Sequence, residues 1–405
     1  MTKANATAPA TTNADLKALR NKVAIVGVGE SEIGKVPHMS GLGLNAQAAI
    51  RALEETGLRV SDIDGVLTAY SFTEPYFMLG TVLAEYLGIR PRFNSSIIAG
   101  GASPAVMVKH AAEAIAMGQC NTVLICAGEN RATGQTRDEA VSALTAVGHP
   151  YFEQPYGSSI PAFYAMIARR YMHQYGLTQE QLASVAVNSR THALLHPNAH
   201  MKTPLTIEQV MASKLIADPL KIYDCCLLSD AGGAIIVTSA DRARDLKSKP
   251  VYLSGVGEFH THEHLMCAPS LTDFGTRQSG ATAFEMAGLG PKDVDVAELY
   301  DCFSIVPVTE LEDLGFCKPG EGAELFVSGN ARIGGTLPVN THGGMMSHAH
   351  AGAAGGLFGI IEAVRQLRGG LGARQVEGAE IALVHNEGGI LSSNCTVILS
   401  STTSH

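Results

Sequence analysis

The sequence predicts an α/β protein made of two pseudo-symmetric halves, and three observations lead to this fold class. An apolar run that ends in Gly-Val-Gly occurs twice, at residues 23–29 and 251–257. Each run is followed at nearly the same distance by a second similar segment, residues 57–66 in one half and 288–297 in the other. Short apolar strands alternate with amphipathic helices, a pattern that predicts parallel-rich sheets covered by helices on both faces.

The elements that follow these runs correspond in the two halves. In each half a Gly-rich loop leads into a helix, a glycine ends the helix, and two further strands follow. The predicted elements are helix 104–117 with Gly118 and strands 122–127 and 233–237 in the first half, and helix 353–367 with Gly369 and strands 380–384 and 395–399 in the second. We therefore expect an N-terminal half at residues 21–245 and a C-terminal half at residues 246–405.

The remaining segments are a tail and an insertion. Residues 1–20 are rich in Ala, Thr and Asn and lack the apolar region of a secretory signal, so we expect a disordered tail. Residues from about 129 to 220 have no counterpart in the second half. They are predicted to hold a helix at 161–175 and another that begins after a capping box at Thr178. Because insertions on one face of a symmetric core often shape a substrate site, we interpret this segment as a lid.

Composition and charge exclude several classes of protein. Of the 405 residues, 46% are hydrophobic and 17% charged, which is ordinary for a packed globular protein. A net charge of −9 without a Lys/Arg cluster argues against a nucleic-acid partner. No apolar stretch reaches about 18 residues, which argues against a membrane span. The eight cysteines show neither metal-site nor disulfide-scaffold spacing, so we expect reduced thiols in a cytoplasmic protein.

The two Gly-rich loops that lead into helices are the candidate site. A helix N-terminus offers unpaired N–H groups and a partial positive charge, which suit a developing oxyanion. Pseudo-symmetry brings both helix starts, near Gly101 and near His350, towards the centre of the molecule. The alternative is that these glycines only permit close packing of a helix on a sheet.

Three motifs carry a resemblance to a known superfamily. They are Tyr300-Asp-Cys-Phe303, the segment Gly343-Gly-Met-Met-Ser-His-Ala-His350-Ala351, and the pair His385-Asn386. On these motifs the chain is identified as a member of the thiolase superfamily. It is similar to the sterol carrier protein-type thiolases and to the thiolase-like, lipid-transfer-protein aldolases that shorten steroid side chains. The resemblance extends over residues 22–400 and implies the thiolase fold, a layered αβαβα core with a loop-domain insertion in the first half.

The motifs combine two patterns of that superfamily. Sterol carrier protein-type thiolases carry His-Asp-Cys-Phe with the cysteine as acid/base, so Cys302 matches the thiolases, whereas Tyr300 matches the steroid aldolases. His350 matches the histidine of the thiolase Gly-His-Pro motif, where the aldolases have tyrosine. The resemblance implies catalytic roles for Tyr300, Cys302, His350, His385 and Asn386. It implies binding of the coenzyme A thioester at Gly101, Ser103, Gly343 and Gly344, with no metal.

The residue expected to act as nucleophile is missing. In the superfamily a cysteine opens the helix that ends here near Gly118, and this register falls on Gly101. Glycine cannot attack a thioester. Ser103 lies two residues away, but a serine nucleophile needs an adjacent base, and a serine at a helix start is more often a cap. We therefore expect no acyl-enzyme on cysteine at this site.

The predicted function follows from what such a site retains. An oxyanion hole and an acid/base pair suffice for retro-aldol cleavage of a β-hydroxyacyl-CoA without a covalent intermediate, with His350 as the base and Tyr300 or Cys302 as the donor. One alternative is a thiolase-type acyltransferase, and a second is a non-catalytic acyl-CoA- or lipid-binding subunit. The resemblance further implies an acyl-CoA substrate whose coenzyme A is part of the thioester, no separately bound cofactor, a homodimer formed through sheet edges, and a small OB-fold, zinc-ribbon partner. The insertion would then form the wall of the acyl-chain site.

Two histidine clusters allow a further alternative. His342, His348 and His350 lie close together in the sequence and are candidates for a metal site. No carboxylate or cysteine completes that set, and the surrounding glycines fit the thiolase motif better. His260, His262 and His264 alternate in a segment to which we assign no role.

Overall fold

The computed structural model describes residues 17–404, and its elements follow the predicted order. The strands are β1 Val23–Glu30, β2 Gly65–Ala69, β3 Phe93–Ile97, β4 Thr122–Asn130, β5 Leu215–Ala217, β6 Leu220–Lys221, β7 Asp230–Ser239, β8 Val251–His260, β9 Val296–Leu299, β10 Ile381–Gly388 and β11 Ser393–Ser400. The helices are α1 Gly41–Thr56, α2 Leu79–Leu87, α3 Ser103–Ala116, α4 Arg137–Thr145, α5 Ile160–Tyr175, α6 Gln179–Ala193, α7 Ile207–Met211, α8 Ala240–Ala243, α9 Thr276–Ala287, α10 Ile305–Asp313, α11 Glu324–Val327 and α12 Ala354–Arg368. The two helices predicted after the Gly-rich loops are confirmed, to within one residue at each end, as α3 and α12.

The predicted tail falls mainly on residues 1–16, which lie outside the described residues. Residues 17–20 form a turn in which the Arg20 amide donates a hydrogen bond to the Lys17 carbonyl at 3.2 Å. Leu19 packs against the core. The described chain is therefore folded before β1 begins.

The nine long strands form one sheet in the order β3-β2-β4-β7-β1-β8-β11-β10-β9. The two halves meet where β1 pairs with β8 over two residue pairs, one of which is Ala24 with Tyr252. The prediction of parallel-rich sheets was wrong. Only β2 with β3, β2 with β4 and β9 with β10 are parallel, while the other neighbours are antiparallel. One cause is local: residues 389–392 form a tight turn between β10 and β11, and such a turn joins antiparallel strands.

The strands of the first half, the strands of the second half and the helices around them form the five layers of an αβαβα core. Helices α3 and α12 contact each other and lie between the strands of the two halves. Helices α1 and α2 pack on the outer side of the first half, and α9 packs on the outer side of the second. The predicted fold class is thus confirmed.

The repeated glycines explain why the halves look alike in sequence. A Cβ on Gly29 would overlap the Ala48 carbonyl oxygen of α1. A Cβ on Gly257 would overlap the Ser279 carbonyl oxygen of α9 in the same way. In each half, therefore, the first strand lacks side chains where the covering helix approaches the backbone.

The insertion covers the second half as well as the first. Helix α6 begins with the predicted capping box, since the Thr178 hydroxyl accepts from the Gln181 amide at 3.2 Å and the Gln181 side chain accepts from the Thr178 amide at 2.9 Å. On α5, the ring of Tyr164 stacks on Phe303 with centroids 4.5 Å apart. The Tyr171 hydroxyl on the same helix donates to Glu312. The insertion is therefore a packed layer over α10, and not only a lid.

Two properties bear on the surroundings of the protein. Within residues 17–404, no helix combines the length and the apolarity that a membrane span requires. All eight cysteines are free thiols.

Candidate active site

The two Gly-rich loops meet at the centre of the molecule. A Cβ on Gly356, in the first turn of α12, would lie 2.8 Å from the Gly101 carbonyl oxygen, just before α3. Gly100 has a φ of +57° and lies against Gly388 of β10, where an added Cβ would be 2.7 Å from the Gly388 Cα. The expectation that pseudo-symmetry brings both helix starts together is therefore confirmed.

Tyr300 fills the space beside Gly101. A Cβ on Gly101 would overlap the hydroxyl oxygen of Tyr300 and would lie 2.5 Å from the Glu387 carbonyl oxygen. No side chain fits at residue 101 while Tyr300 keeps this position. The place expected for the nucleophile is thus taken by a phenol.

His350 faces Tyr300 across the site. Their ring centroids are 6.5 Å apart and the ring planes meet at 87°. Burial, together with the charge of Arg131, lowers the pKa of His350 to about 4, so the imidazole is neutral at neutral pH. Its Nδ1 atom is buried and has no hydrogen-bond partner among residues 17–404. A neutral imidazole with a free nitrogen can accept a proton.

Tyr300 remains protonated under the same conditions. It is only 6% exposed. Burial, with the neighbouring Cys302 and Glu387, raises the pKa of Tyr300 well above its usual value of 10. The residue is therefore a hydrogen-bond donor beside the start of α3, and not a base.

Cys302 contacts a carboxyl group that the motif analysis missed. The Cys302 thiol donates to Glu387 Oε1 at 3.3 Å, and the Tyr164 hydroxyl donates to the same oxygen at 2.6 Å. Burial raises the pKa of Glu387 to about 7. Glu387 directly follows the His385-Asn386 pair in the sequence, so its acidic side chain next to a matched motif was the available signal.

Asp301 fixes the loop that contains the paired glycines. Its Oδ1 accepts from the Met345 amide at 2.6 Å, and its Oδ2 accepts from the Ser189 hydroxyl at 3.1 Å. Gly343 and Gly344 have φ values of +109° and +62°, and a Cβ on Gly344 would overlap the Asp301 carboxylate. The positive φ values and the contact with Asp301 therefore explain why glycine is needed at these positions. Their part in binding the thioester stays a prediction.

Ser103 is engaged by its own loop. Its hydroxyl donates to the Gly100 carbonyl at 2.8 Å and accepts from the Ala99 amide at 3.0 Å. The side chain is fully buried. These contacts agree with a structural role at the helix start.

His385 and Asn386 point to opposite faces of β10, as neighbouring strand residues must. Asn386 lies at the helix starts, where its Nδ2 donates to the Gly356 carbonyl at 3.3 Å and its buried Oδ1 has no partner among residues 17–404. His385 is fully buried, and its Nδ1 bonds to the Thr396 hydroxyl at 2.8 Å. Its Nε2 lies 3.3 Å from the Thr276 hydroxyl. The hydrogen bonds of His385 thus connect it to α9 and β11, and not to Tyr300, Cys302 or His350.

Carboxylates do stand beside two histidines of the predicted cluster, since Glu298 bonds to His342 at 2.8 Å and Glu30 lies 3.4 Å from His348. Glu30, His196 and His348 are buried, with possible ligand atoms within 4.8 Å of one another. Arg365 already neutralises Glu30 at 3.2 Å, and the Nδ1 atom of His196 accepts from the Asn198 amide at 3.2 Å. With its Nδ1 so engaged, neutral His196 carries its proton on Nε2, the nitrogen that a metal would need. This donor set fits a metal poorly, and the absence of a bound metal stays a prediction.

Comparison with known families decides what kind of protein carries this site. Residues 23–241 match the family model described as Thiolase, N-terminal domain, and residues 257–401 match the one described as Thiolase C-terminal domain-like. The chain belongs to the thiolase superfamily. The resemblance inferred from the motifs is thereby confirmed.

Relatives of this thiolase-superfamily chain carry two kinds of name. The 17-hydroxy-3-oxo-4-pregnene-20-carboxyl-CoA lyase of Mycobacterium tuberculosis is 37% identical, over 90% of this chain and 96% of the relative. The acetyl-CoA acetyltransferase of Methanothermobacter thermautotrophicus is 35% identical, over 91% and 96%. The solved structure of an Ltp2-ChsH2(DUF35) aldolase superposes with a TM-score of 0.84 at 34% identity, covering 94% of this chain and 98% of that one. Overall identity thus does not separate lyase from transferase.

An apolar cavity of about 450 Å³ lies between the insertion of this thiolase-superfamily chain and residues 265–271 of its second half. The main apolar side chains that line it are Phe152, Tyr156, Phe163, Met166, Leu265, Met266 and Leu271. Tyr156 is 88% exposed, whereas Phe163 is buried. Tyr164, the neighbour of Phe163 in α5, is also buried, and its hydroxyl donates to Glu387.

Proposed function

We propose that this protein cleaves a β-hydroxyacyl-CoA by a retro-aldol reaction, without a covalent acyl-enzyme. The observation that carries the proposal is the occupation of the nucleophile position. Gly101 has no reactive atom, and the Tyr300 hydroxyl takes the space that a side chain there would need. A transferase of thiolase type requires a nucleophile at this place, whereas an aldol cleavage does not.

The chemistry of the remaining groups fits the cleavage. His350, which is neutral, takes the proton of the β-hydroxyl group, and the bond between the α- and β-carbons breaks to give an aldehyde or ketone. The electron pair of that bond passes to the α-carbon and forms the enolate of the shorter acyl-CoA. Tyr300 and the N–H groups at the helix starts donate hydrogen bonds to the developing oxyanion. The α-carbon must then gain a proton.

The substrate class follows from the insertion and from the relatives. The cavity of about 450 Å³ is large enough for part of a bulky apolar chain, and its lining is mostly apolar or aromatic. Relatives named as steroid-cleaving enzymes support a large apolar acyl group. Coenzyme A enters as part of the substrate, and we propose no separate cofactor.

We also propose an assembly. The superposed aldolase is named for two components, Ltp2 and ChsH2(DUF35), which supports a small OB-fold, zinc-ribbon partner for this chain. Strand β3 forms an edge of the sheet, and Ile98 directly after it is 80% exposed, which supports a homodimer formed through this edge. Light scattering of the purified chain, whose monomer mass is 42.5 kDa, would test the dimer. The free thiols support a reducing, cytoplasmic compartment.

The test of the reaction is direct. The chain is incubated, alone and with a DUF35-type protein from the same genome, with β-hydroxyacyl-CoA thioesters that carry steroid, aromatic or fatty groups. We expect release of an aldehyde or ketone and a shorter acyl-CoA, detected by liquid chromatography and mass spectrometry. An acyl group trapped on the protein would favour the transferase. No cleavage in either preparation would overturn the proposal and favour a binding subunit.

A further inference from the structure

Glu387 is a buried carboxyl group beside the site that the cleavage step leaves unused. It is 1% exposed and lies on β10, next to Asn386. Its Oε1 accepts from the Tyr164 hydroxyl at 2.6 Å and from the Cys302 thiol at 3.3 Å. Its Oε2 accepts from the Leu391 amide at 3.0 Å. The carboxyl is thus held on both oxygens, with a thiol as one of its partners.

The return of a proton to the α-carbon is the step for which the sequence left Tyr300 and Cys302 as alternative donors. His350 receives the proton of the β-hydroxyl group, and Tyr300 supports the oxyanion. Burial raises the pKa of Cys302 well above 9, so its thiol keeps its proton until a strong base, such as an enolate carbon, takes it. Cys302 follows Tyr300 by two residues in the sequence, and the Cys302 thiol is hydrogen-bonded to Glu387.

The resemblance implies that Cys302 is the acid that protonates the α-carbon; we propose that Glu387 restores the proton of Cys302, with Tyr164 positioning Glu387. The assignment rests on the proposed aldol cleavage and extends it to the second half of the turnover. The S–H bond of Cys302 breaks as the C–H bond forms at the α-carbon. The resulting thiolate then takes the proton of the Glu387 carboxyl. Over one turnover, His350 gives its proton to solvent and Glu387 takes one back.

The surroundings of Glu387 allow it to give a proton to Cys302 near neutral pH. The titratable groups that face it are Tyr164 on α5, Tyr300 and Cys302 after β9, Glu310 on α10 and Tyr70 after β2. Burial raises the pKa of all five, so the three tyrosines and Cys302 stay protonated at neutral pH. Burial also raises the pKa of Glu387, to about 7, and the hydrogen bond from Tyr164 opposes that shift. Glu387, unlike the tyrosines and Cys302, can therefore both hold and release a proton at pH 7.

A purely structural role for Glu387 predicts something different. In that case the carboxyl only fixes Tyr164 and the turn after β10, and its removal lowers stability without changing how activity depends on pH. A role in proton transfer requires the protonated carboxyl. The rate of cleavage should then fall as pH rises through about 7.

The first measurement follows deuterium exchange at the α-carbon of acetyl-CoA and propionyl-CoA in D₂O. This exchange reports the Cys302–Glu387 step without the aldol cleavage. In this exchange the step runs in reverse: the Glu387 carboxylate takes the proton of Cys302, and the resulting thiolate takes the α-proton, so exchange should rise as pH rises through about 7. We expect Cys302→Ala to abolish it, and Glu387→Gln to slow it by at least about tenfold and to remove this rise. Tyr164→Phe should raise the pKa of Glu387 and move the rise to higher pH, by roughly half a unit to one unit.

Matched controls come from the same helices. Tyr171→Phe removes a buried hydroxyl of α5 that donates to Glu312, and Glu312→Gln removes that carboxylate charge from α10. Both should cost stability without shifting the pH profile of exchange. If Glu387→Gln does not fold, the shift in Tyr164→Phe decides the matter.

The outcomes separate this inference from the proposed function. Wild-type cleavage together with an unchanged pH profile in Glu387→Gln or Tyr164→Phe would overturn the inference and leave the aldolase standing. Exchange that survives in Cys302→Ala would overturn it as well. Exchange that depends on Glu387, without cleavage of any β-hydroxyacyl-CoA, would support the inference and overturn the aldolase.

Discussion

The loops that lead into α3 and α12 are equivalent in the fold but opposite in chemistry. Both helix starts lie in the central layer, and the backbone of Gly101 touches the first turn of α12 at Gly356. At the start of α12 the reactive side chain is kept, as His350. At the start of α3 it is absent, and a residue from a third element, Tyr300, fills the place. The Tyr300 phenol therefore occupies the position at which the resemblance predicts a cysteine side chain.

The two starts also differ in how their polar side chains are used. The Ser103 hydroxyl is consumed by the Ala99 amide and the Gly100 carbonyl of its own loop. The Nδ1 atom of His350 has no partner among residues 17–404. Where two equivalent positions differ in this way, the unpartnered group is the candidate for chemistry.

The largest effect on activity should come from removing the imidazole of His350, just before α12. His350→Ala removes the proposed base, so kcat for cleavage should fall about 10²- to 10⁴-fold. The measurement is release of the shorter acyl-CoA. The control His173→Gln changes an exposed histidine at the end of α5 and should leave kcat unchanged. A fall of less than about threefold in His350→Ala would contradict the base assignment.

A side chain added at Gly101, just before α3, should destabilise the fold. Gly101→Ala forces the new methyl group against Tyr300, so the free energy of unfolding should fall by about 1–3 kcal/mol, measured by denaturant titration. Gly43→Ala is the matched control, because an added Cβ there has its nearest neighbour at 3.6 Å. In a Tyr300→Ala background the cost of Gly101→Ala should fall without disappearing, because the new Cβ would still lie 2.5 Å from the Glu387 carbonyl oxygen. A cost that stays the same in that background would show that Tyr300 does not occupy the place.

The pH dependence on the acid side should show how burial has changed His350. Its pKa is lowered to about 4 and it acts in the neutral form, so kcat/KM should not fall as pH drops from 7 to 5. A base with the ordinary histidine pKa of about 6.5 would be only about 3% neutral at pH 5. A midpoint near 6.5 would therefore show that the base is not a buried histidine of depressed pKa. The same depressed pKa makes His350 lower the stability of the fold as pH falls below about 6.5.

The smallest effect separates a structural role of Ser103 from a nucleophilic one. The expectation of a helix cap was wrong, because the N-cap of α3 is Ala102. Ser103→Ala removes two hydrogen bonds of the loop and should lower the free energy of unfolding by about 0.5–2 kcal/mol, while kcat changes little. Ser239→Ala, at the N-cap of α8, likewise removes a serine hydroxyl that bonds to the backbone, but away from the site. Loss of all activity in Ser103→Ala, with the fold intact by circular dichroism, would instead favour a serine acyl-enzyme.

The sequence predicted the parts of the fold that depend on local pattern. The duplicated runs, the helices after the Gly-rich loops and the capping box at Thr178 were predictable because periodicity, glycine stops and cap residues are read within one segment. The mixed sheet was not, although Gly388-Gly389 between β10 and β11 is typical of a tight turn. Strand alternation would have separated His385 from Asn386, because neighbouring strand residues face opposite sides.

The sequence by itself determined that position 101 has no nucleophile and that Tyr300, Cys302 and His350 are present, since the identity of a residue fixes which atoms it can offer. Only the tertiary structure decided which group fills the empty place and which proton each group keeps. Tyr164 and Glu387 are 223 residues apart in the chain, yet their hydrogen bond defines the surroundings of Cys302. Burial sets the pKa of these groups, and burial is a property of the packed molecule that no local pattern contains.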